Sequence, residues 1–401
     1  MEQLSTLKQI EQQCLMNTYA RQPVVFTRGE GVYLYDTDDR RYLDMLAGIA
    51  VCGLGHAHPA ITEAIHAGAD TLLHVSNLYY TRPVMELAAE LTRVAGMNRV
   101  FFCNSGAEAN ECALKIARKR GTEHSAHKTE IVCLRGGFHG RLFGSLSVTA
   151  QPKYQRPFEP LVPDVRVIDP NEIGELREAV TGRTCAVILE PMQGESGVHP
   201  VPVELIAEAR RLCDRMEALL IFDEVQTGNG RTGSWYLWQQ LGVQPDVLTT
   251  AKGLGSGLPI GACLAGPRAA EVLQPGDHGS TFAGGPLVAG AALATIHTIE
   301  AEGLCAHAAA VGNGILKTLR SWHGSAHGVT DVRGRGLMIG FDLDAPIARA
   351  VVSRALELGL VINATGDHTV RLLPPLILTA EQADEALTLL SQAIQDVRAP
   401  A

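Results

Sequence analysis

The sequence predicts an α/β fold, with a large domain at about 55–285 built on a mostly parallel central sheet. A smaller α/β domain is assembled from both chain ends, 1–54 and 286–401. Three observations predict it. Short apolar runs ending in turns recur at 99–103 (RVFFC), 131–134 (IVCL), 185–189 (CAVIL), 219–222 (LLIF), 247–250 (VLTT) and 260–264 (IGACL). Between most of them lie stretches with an apolar residue every third or fourth position, such as 107–120 and 203–217, the period of a helix. The runs themselves are nearly continuously apolar, as in a parallel sheet covered on both faces.

At the N-terminus, MEQLSTLKQIEQQ lacks the basic start and apolar core of a secretory signal. The 25–50 region (VFTRGEGVYLYDTDDRRYLDML) reads as a β-hairpin. After the large domain, the alanine-rich 286–301 reads as one helix. A new αβ unit comes next, with strands at 337–343 (LMIGFDL) and 369–373 (TVRLL) and a closing helix at 380–397. No run of ~18 apolar residues occurs, so no membrane span is expected.

A chain of 401 residues, 46% of them hydrophobic, has ample core for this plan. Its net charge of −9 and lack of any lysine- or arginine-rich run argue against nucleic acid and anionic membrane surfaces as partners. Small molecules remain. The nine cysteines are scattered, odd in number and without a CxxC pair, which points to buried thiols in a reducing cytoplasm. His56/His58, His124/His127 and His323/His327 lack a carboxylate or cysteine at a metal spacing, so no metal is expected.

The chemistry begins at Asp223. An apolar strand drives into this carboxylate, and open α/β sheets bind their ligands at the C-terminal ends of their strands. An aspartate that merely opens a turn would look the same. Lys252 comes after the next apolar run (VLTT) among small residues, which leaves its amine little solvation, and a desolvated lysine is a nucleophile toward carbonyls.

An aldehyde cofactor suits such a lysine. Pyridoxal 5'-phosphate needs a lysine for the imine, an acid at the pyridine nitrogen, donors for its phosphate, and something to hold its ring flat. Asp223 can serve the nitrogen. The segment Asn-Ser-Gly-Ala-Glu-Ala-Asn-Glu (104–111) opens a helix after 99–103 and can serve the phosphate through its N-terminal amides, with Gly106 permitting close approach. An ordinary capping box reads identically. Phe138, in Gly-Gly-Phe-His-Gly-Arg just past 131–134, can stack on the ring, or can belong to the core.

These stretches together resemble the class III, ω-amino-acid branch of the fold-type-I pyridoxal-phosphate aminotransferases, and within it the acetylornithine aminotransferases. The likeness runs from NTYARQPVVFTRGEGVYLYD (from Asn17) through GHAHP (55–59), NSGAEANE, GGFHGR, EPMQGE (190–195), FDEVQTG, AKGLGSGLPIGA, HGSTF (278–282) and RLLPPL (371–376), nearly the whole chain. The resemblance implies that Lys252 binds the cofactor covalently and shuttles the proton, and that Asp223 pairs with the pyridine nitrogen. Gln226 contacts the ring hydroxyl, Phe138 stacks, and Gly106 and Ala107 give backbone contacts to the phosphate. Thr281 completes the phosphate site from a neighbouring subunit, which implies a homodimer with shared sites, and Ser280 lies beside the substrate.

Moving an ω-amine to the α-position of 2-oxoglutarate demands two carboxylate geometries, hence two arginines, because bidentate pairing fixes orientation. Arg141 and Arg371 are the candidates. The resemblance makes Arg141 the clamp for the carboxylate remote from the reacting amine, and Glu195 the switch that masks Arg371 until the dicarboxylate arrives. The implied activity is transfer of the δ-amine of N2-acetylornithine to 2-oxoglutarate, in arginine biosynthesis. Succinylornithine, succinyl-diaminopimelate, ornithine and 4-aminobutyrate are rival donors. Cys52, where these enzymes often carry Asn, and Ala283 and Gly285, where STFGGNPL is commoner, depart from the pattern. An oxidoreductase reading of Gly253, Gly255 and Gly257 fails, since they come after a lysine and no ribose-binding acid lies ~20 residues on. A non-catalytic regulator would be expected to have lost Lys252 or Asp223.

Overall fold

Seven strands form the central sheet, in the order Arg99–Cys103, Gly261–Ala265, Val247–Thr250, Leu219–Asp223, Thr184–Leu189, Glu130–Leu134 and Val165–Ile168. Gly261–Ala265 runs antiparallel to both neighbours and the remaining pairs are parallel. The structure is a computed structural model and describes residues 2–399.

Helices cover both faces, which is why the central strands are apolar at consecutive positions. On one face the helix Gly106–His124 sets Cys112, Ala113 and Ile116 against Ile131, Ile188 and Ile221. On the other, Val203–Arg215 sets Leu205, Ala209 and Leu212 against Val187, Leu220 and Phe222. Leu220, Ile221 and Phe222 thus alternate between the two layers, as the two-residue period of a strand requires. Each fully buried side chain of this size contributes about 1.5–3 kcal/mol. The strand Val165–Ile168 is not marked in the sequence because it is an edge strand: Arg166 and Val167 are exposed, so no apolar run announces it.

A second, antiparallel sheet of Val329–Arg335, Met338–Leu343, Thr369–Leu372 and Asn363–Ala364 lies under the helices Leu304–Ser321, Ala348–Glu357 and Ala380–Arg398. Ile315, Leu319, Val351 and Leu390 pack there on Ile339, Phe341 and Val370. The expected N-terminal hairpin is instead a three-stranded meander, Phe26–Glu30, Tyr33–Asp36 and Arg41–Asp44. Gly31, at a φ of 56°, makes its first turn, and Asp36 makes the second by accepting the amides of Asp38 and Arg40 through Oδ1. Arg41–Asp44 then pairs in parallel with Leu360–Val361, so both chain ends share one sheet. A helix, Glu2–Cys14, precedes the meander. All nine cysteines are free thiols. Six are buried, Cys52 and Cys305 are half-buried, and Cys14 is exposed against the expectation of buried thiols.

Candidate active site

Consecutive strands of the central sheet end side by side. Phe222 pairs with Leu189 and Asp223 with Thr249, so Glu190, Asp223 and the segment up to Lys252 come together at one edge. They open into a cavity of about 440 Å³ lined by Lys252, Asp223, Phe138, Arg141, Glu195 and Gln226 among others. Gly106 and Ala107 line it as well.

Lys252 opens a short 3-10 turn, Lys252–Gly255, at a φ of 46°, a left-handed conformation that is costly for a residue with a side chain. Such strain is concentrated at functional sites. Burial pushes the Lys252 amine below the ordinary lysine range, against the opposing pull of Glu195 and Asp223. A second strained turn abuts it. Ala47, Gly48, Ile49 and Ala50 all have positive φ, one turn of left-handed helix that delivers Val51 to the cavity. Asp44 holds this turn: its Oδ1 accepts the amides of Leu46 and Ala47, and its Oδ2 sits 2.8 Å from His56 Nε2.

Asp223 is 4% exposed and saturated with donors. Oδ2 accepts from Asn110 Nδ2 at 2.7 Å and lies 2.8 Å from His139 Nδ1, while Oδ1 accepts the Val225 amide at 3.0 Å. His139 Nε2 is buried with no partner among the described residues.

The helix Gly106–His124 begins with a complete capping box, in which Ser105 Oγ accepts the Glu108 amide and the Glu108 carboxylate accepts the amides of Asn104 and Ser105. The first-turn amides of Gly106 and Ala107 find no acceptor among the described residues. They are orphan donors at the positive end of a helix, bordering a cavity. A side chain at position 106 would put its Cβ 2.8 Å from Val225 Cγ1, so only glycine fits.

Arg371 is 1% exposed, and its Nη1 lies 2.7 Å from Glu195 Oε1, 3.1 Å from the Gly194 carbonyl and 3.3 Å from Gln226 Oε1. Gln226 Nε2 donates to the same Glu195 oxygen at 3.2 Å, closing a three-residue ring. Burial pushes the Glu195 carboxyl up, but Arg371 and Lys252 pull harder and leave it below the usual range. Arg141 is exposed at the mouth, its guanidinium carbon 3.9 Å from the Tyr154 ring centre and 5.5 Å from that of Phe138. Thr281 and Ser280 do not line the cavity of this chain. Ser280 Oγ accepts from Asn104 Nδ2 at 3.1 Å, and Thr281 is exposed.

The model of the family described as aminotransferase class-III matches residues 15–394. The chain belongs to the class-III aminotransferases. As a member of this family it is a pyridoxal-phosphate-dependent aminotransferase. It is 48% identical to the acetylornithine aminotransferase of Gloeobacter violaceus over 96% of each chain. It is 47% identical to the acetylornithine aminotransferase of Mycobacterium tuberculosis over 95% of this chain and 94% of the other. Among solved structures, the ornithine aminotransferase of Toxoplasma gondii superposes with a TM-score of 0.94 at 30% identity, covering 98% of this chain and 95% of that one. The N-acetylornithine aminotransferase of Stenotrophomonas maltophilia superposes at 0.83 with 37% identity, covering 94% and 97%.

The class-III cofactor fits the residues present. Orphan amides at Gly106 and Ala107 suit its phosphate, the buried Asp223 suits a protonated ring nitrogen, and Lys252 suits the aldehyde. Four residues at this site are not singled out by the sequence: Asn110, His139, Glu190 and Tyr154. The first three stand inside the motifs NSGAEANE, GGFHGR and EPMQGE, but their contacts are made between motifs.

Proposed function

We propose that this class-III aminotransferase moves the δ-amino group of N2-acetylornithine to 2-oxoglutarate, giving N-acetylglutamate 5-semialdehyde and glutamate, in the synthesis of arginine. The observation that carries the reading is the Glu195–Arg371 pair: an arginine beside the catalytic lysine is masked by a carboxylate. An enzyme with a single substrate geometry has no use for a masked arginine. The high identity to acetylornithine aminotransferases supports this donor over free ornithine, whose enzymes match in shape at 30% identity.

The bound cofactor carries the amine between the two substrates and takes up the electron pair released when the C–H bond breaks. Lys252, its amine pushed below the ordinary lysine range by burial, would take the proton from the carbon bearing the amine and hold it for return. Asp223, held by Asn110 and the Val225 amide, would keep the proton on the ring nitrogen. Phe138 would cover the ring face, Gln226 would meet the ring hydroxyl, and Gly106 and Ala107 would bind the phosphate. Arg141 grips the carboxylate remote from the amine, and Ser280, outside the cavity of its own chain, lies beside the substrate in the shared site of the homodimer. When 2-oxoglutarate arrives, Glu195 leaves Arg371, which then takes the α-carboxylate.

We place residues 55–285 in a large cofactor-binding domain, and 1–54 with 286–401 in a small domain that contributes Arg371. We also place the enzyme in the cytoplasm, which its free thiols suit, and in a homodimer in which Thr281 completes the partner's phosphate site. The dimer reading draws support from exposed apolar residues Leu72, Leu73, Leu78, Tyr79, Tyr80 and Phe282 around one surface region. Steady-state kinetics with N2-acetylornithine and 2-oxoglutarate test the function: parallel double-reciprocal lines and glutamate as product are expected. Intersecting lines, or no glutamate, contradict it.

A further inference from the structure

The motif EPMQGE opens with a second glutamate that the switch does not use. Glu190 ends the strand Thr184–Leu189 beside Asp223, is 5% exposed, and borders the cavity. Its two oxygens face two backbone donors from different loops. Oε1 accepts the amide of Phe138 at 2.8 Å and Oε2 accepts the amide of Gly194 at 3.0 Å.

Both amides belong to residues that shape the cavity. Phe138 carries the ring wall. Gly194 immediately precedes Glu195, its carbonyl accepts from Arg371 Nη1 at 3.1 Å, and it packs so closely on Gln226 that a Cβ would lie 2.2 Å from Gln226 Oε1. Gly194, the residue before Glu195, is therefore held at its amide by Glu190 and at its carbonyl by Arg371.

We infer that Glu190 is a positioning residue for the switch: its carboxylate fixes the Gly194 pivot in register with the Phe138 wall, so that Glu195 can release and recapture Arg371 by side-chain rotation alone. This role of Glu190 rests on the proposed switch role of Glu195. Two amide donors on one carboxylate form charge-assisted bonds that a neutral side chain cannot reproduce together. In Glu190→Gln the amide nitrogen must face one of the backbone N–H groups, donor against donor, and that loop comes loose. Burial pushes the Glu190 acid up from the ordinary carboxylate range, and losing either acceptor oxygen leaves a backbone amide unpaired.

The test uses the holoenzyme and reads the ratio of kcat/KM for N2-acetylornithine to that for glutamate in Glu195→Ala, Glu190→Gln and the double variant. Glu195→Ala is expected to lower the ratio about tenfold, Glu190→Gln about fivefold, and the second change to add nothing in the first background. Hydrogen exchange at the Gly194 or Phe138 amide should quicken at least tenfold in Glu190→Gln, which activity alone would not reveal. Glu190→Asp keeps the charge but reaches only one amide, and should fall between wild type and Gln if the latter folds poorly. A ratio lowered by Glu195→Ala but untouched by Glu190→Gln and Glu190→Asp overturns the role of Glu190 and leaves the switch standing. A ratio that Glu195→Ala itself leaves unchanged overturns the switch, and the pivot with it.

Discussion

Glu195 Oε1 stands 2.7 Å from Arg371 Nη1, with the arginine side chain 1% exposed and the glutamate 24%. The arginine is thus buried behind the carboxylate, which lines the cavity and retains a solvent-facing side from which it can leave. Replacing Glu195 with alanine should shift preference from ω-amines toward glutamate about tenfold, measured as competing half-reactions. Unchanged selectivity would show that the pair is structural.

Lys252 is the lysine that lines the cavity, and the proposed function has it hold the cofactor covalently. Lys252→Ala should lose the visible absorbance of lysine-bound cofactor and the ability of borohydride to fix it to the chain. Peptide mapping of the reduced wild type should find the modification at Lys252. A modified peptide from elsewhere in the chain would refute the assignment.

The donors around Asp223 predict that its charge, not its shape, is what matters. Asp223→Asn keeps the volume and removes the charge, so turnover should fall by about 10²–10³ or more. Equilibrium dialysis should find the cofactor still bound. Near-normal turnover would remove Asp223 from the chemistry.

His56 and Asp44 make a pH-dependent clasp on the strained turn beside Lys252. The hydrogen bond to Asp44, with a further contribution from Cys52, raises His56 to about 9 from an ordinary ~6.5. The folded value is the higher one, so the clasp contributes its full stability below pH ~6.5 and loses it as pH rises through about 9. Asp44→Asn should therefore lower the melting temperature by on the order of 5 °C near pH 6, and the difference should shrink toward pH 9.5. A pH-independent difference would mean that the imidazole is not charged in the fold.

What can be read in the sequence divides along a physical line. The strand ends carrying Asp223 and Lys252 are legible because burial on both faces writes itself as a continuous apolar run. The helix Pro286–Ala301 matches the alanine-rich stretch residue for residue. Val165–Ile168 is not legible, since an edge strand carries exposed Arg166 and Val167. The partners of Asp223 are equally hidden. Asn110 and His139 reach it from 113 and 84 residues away, and only the folded sheet brings them within hydrogen-bond range. Gln226 is expected at the ring hydroxyl, and the structure adds its place in the Glu195–Arg371 ring.

If the masked arginine serves an acylated ω-amino donor, that donor should load the cofactor faster than any rival. Single-turnover spectroscopy of the purified holoenzyme decides this, with N2-acetylornithine, succinylornithine, ornithine and 4-aminobutyrate in turn, by loss of the lysine-bound cofactor band and rise of the aminated cofactor. Fastest conversion by N2-acetylornithine is expected. Faster conversion by another of these amines would contradict the assigned donor, and no conversion by any of them would contradict the function.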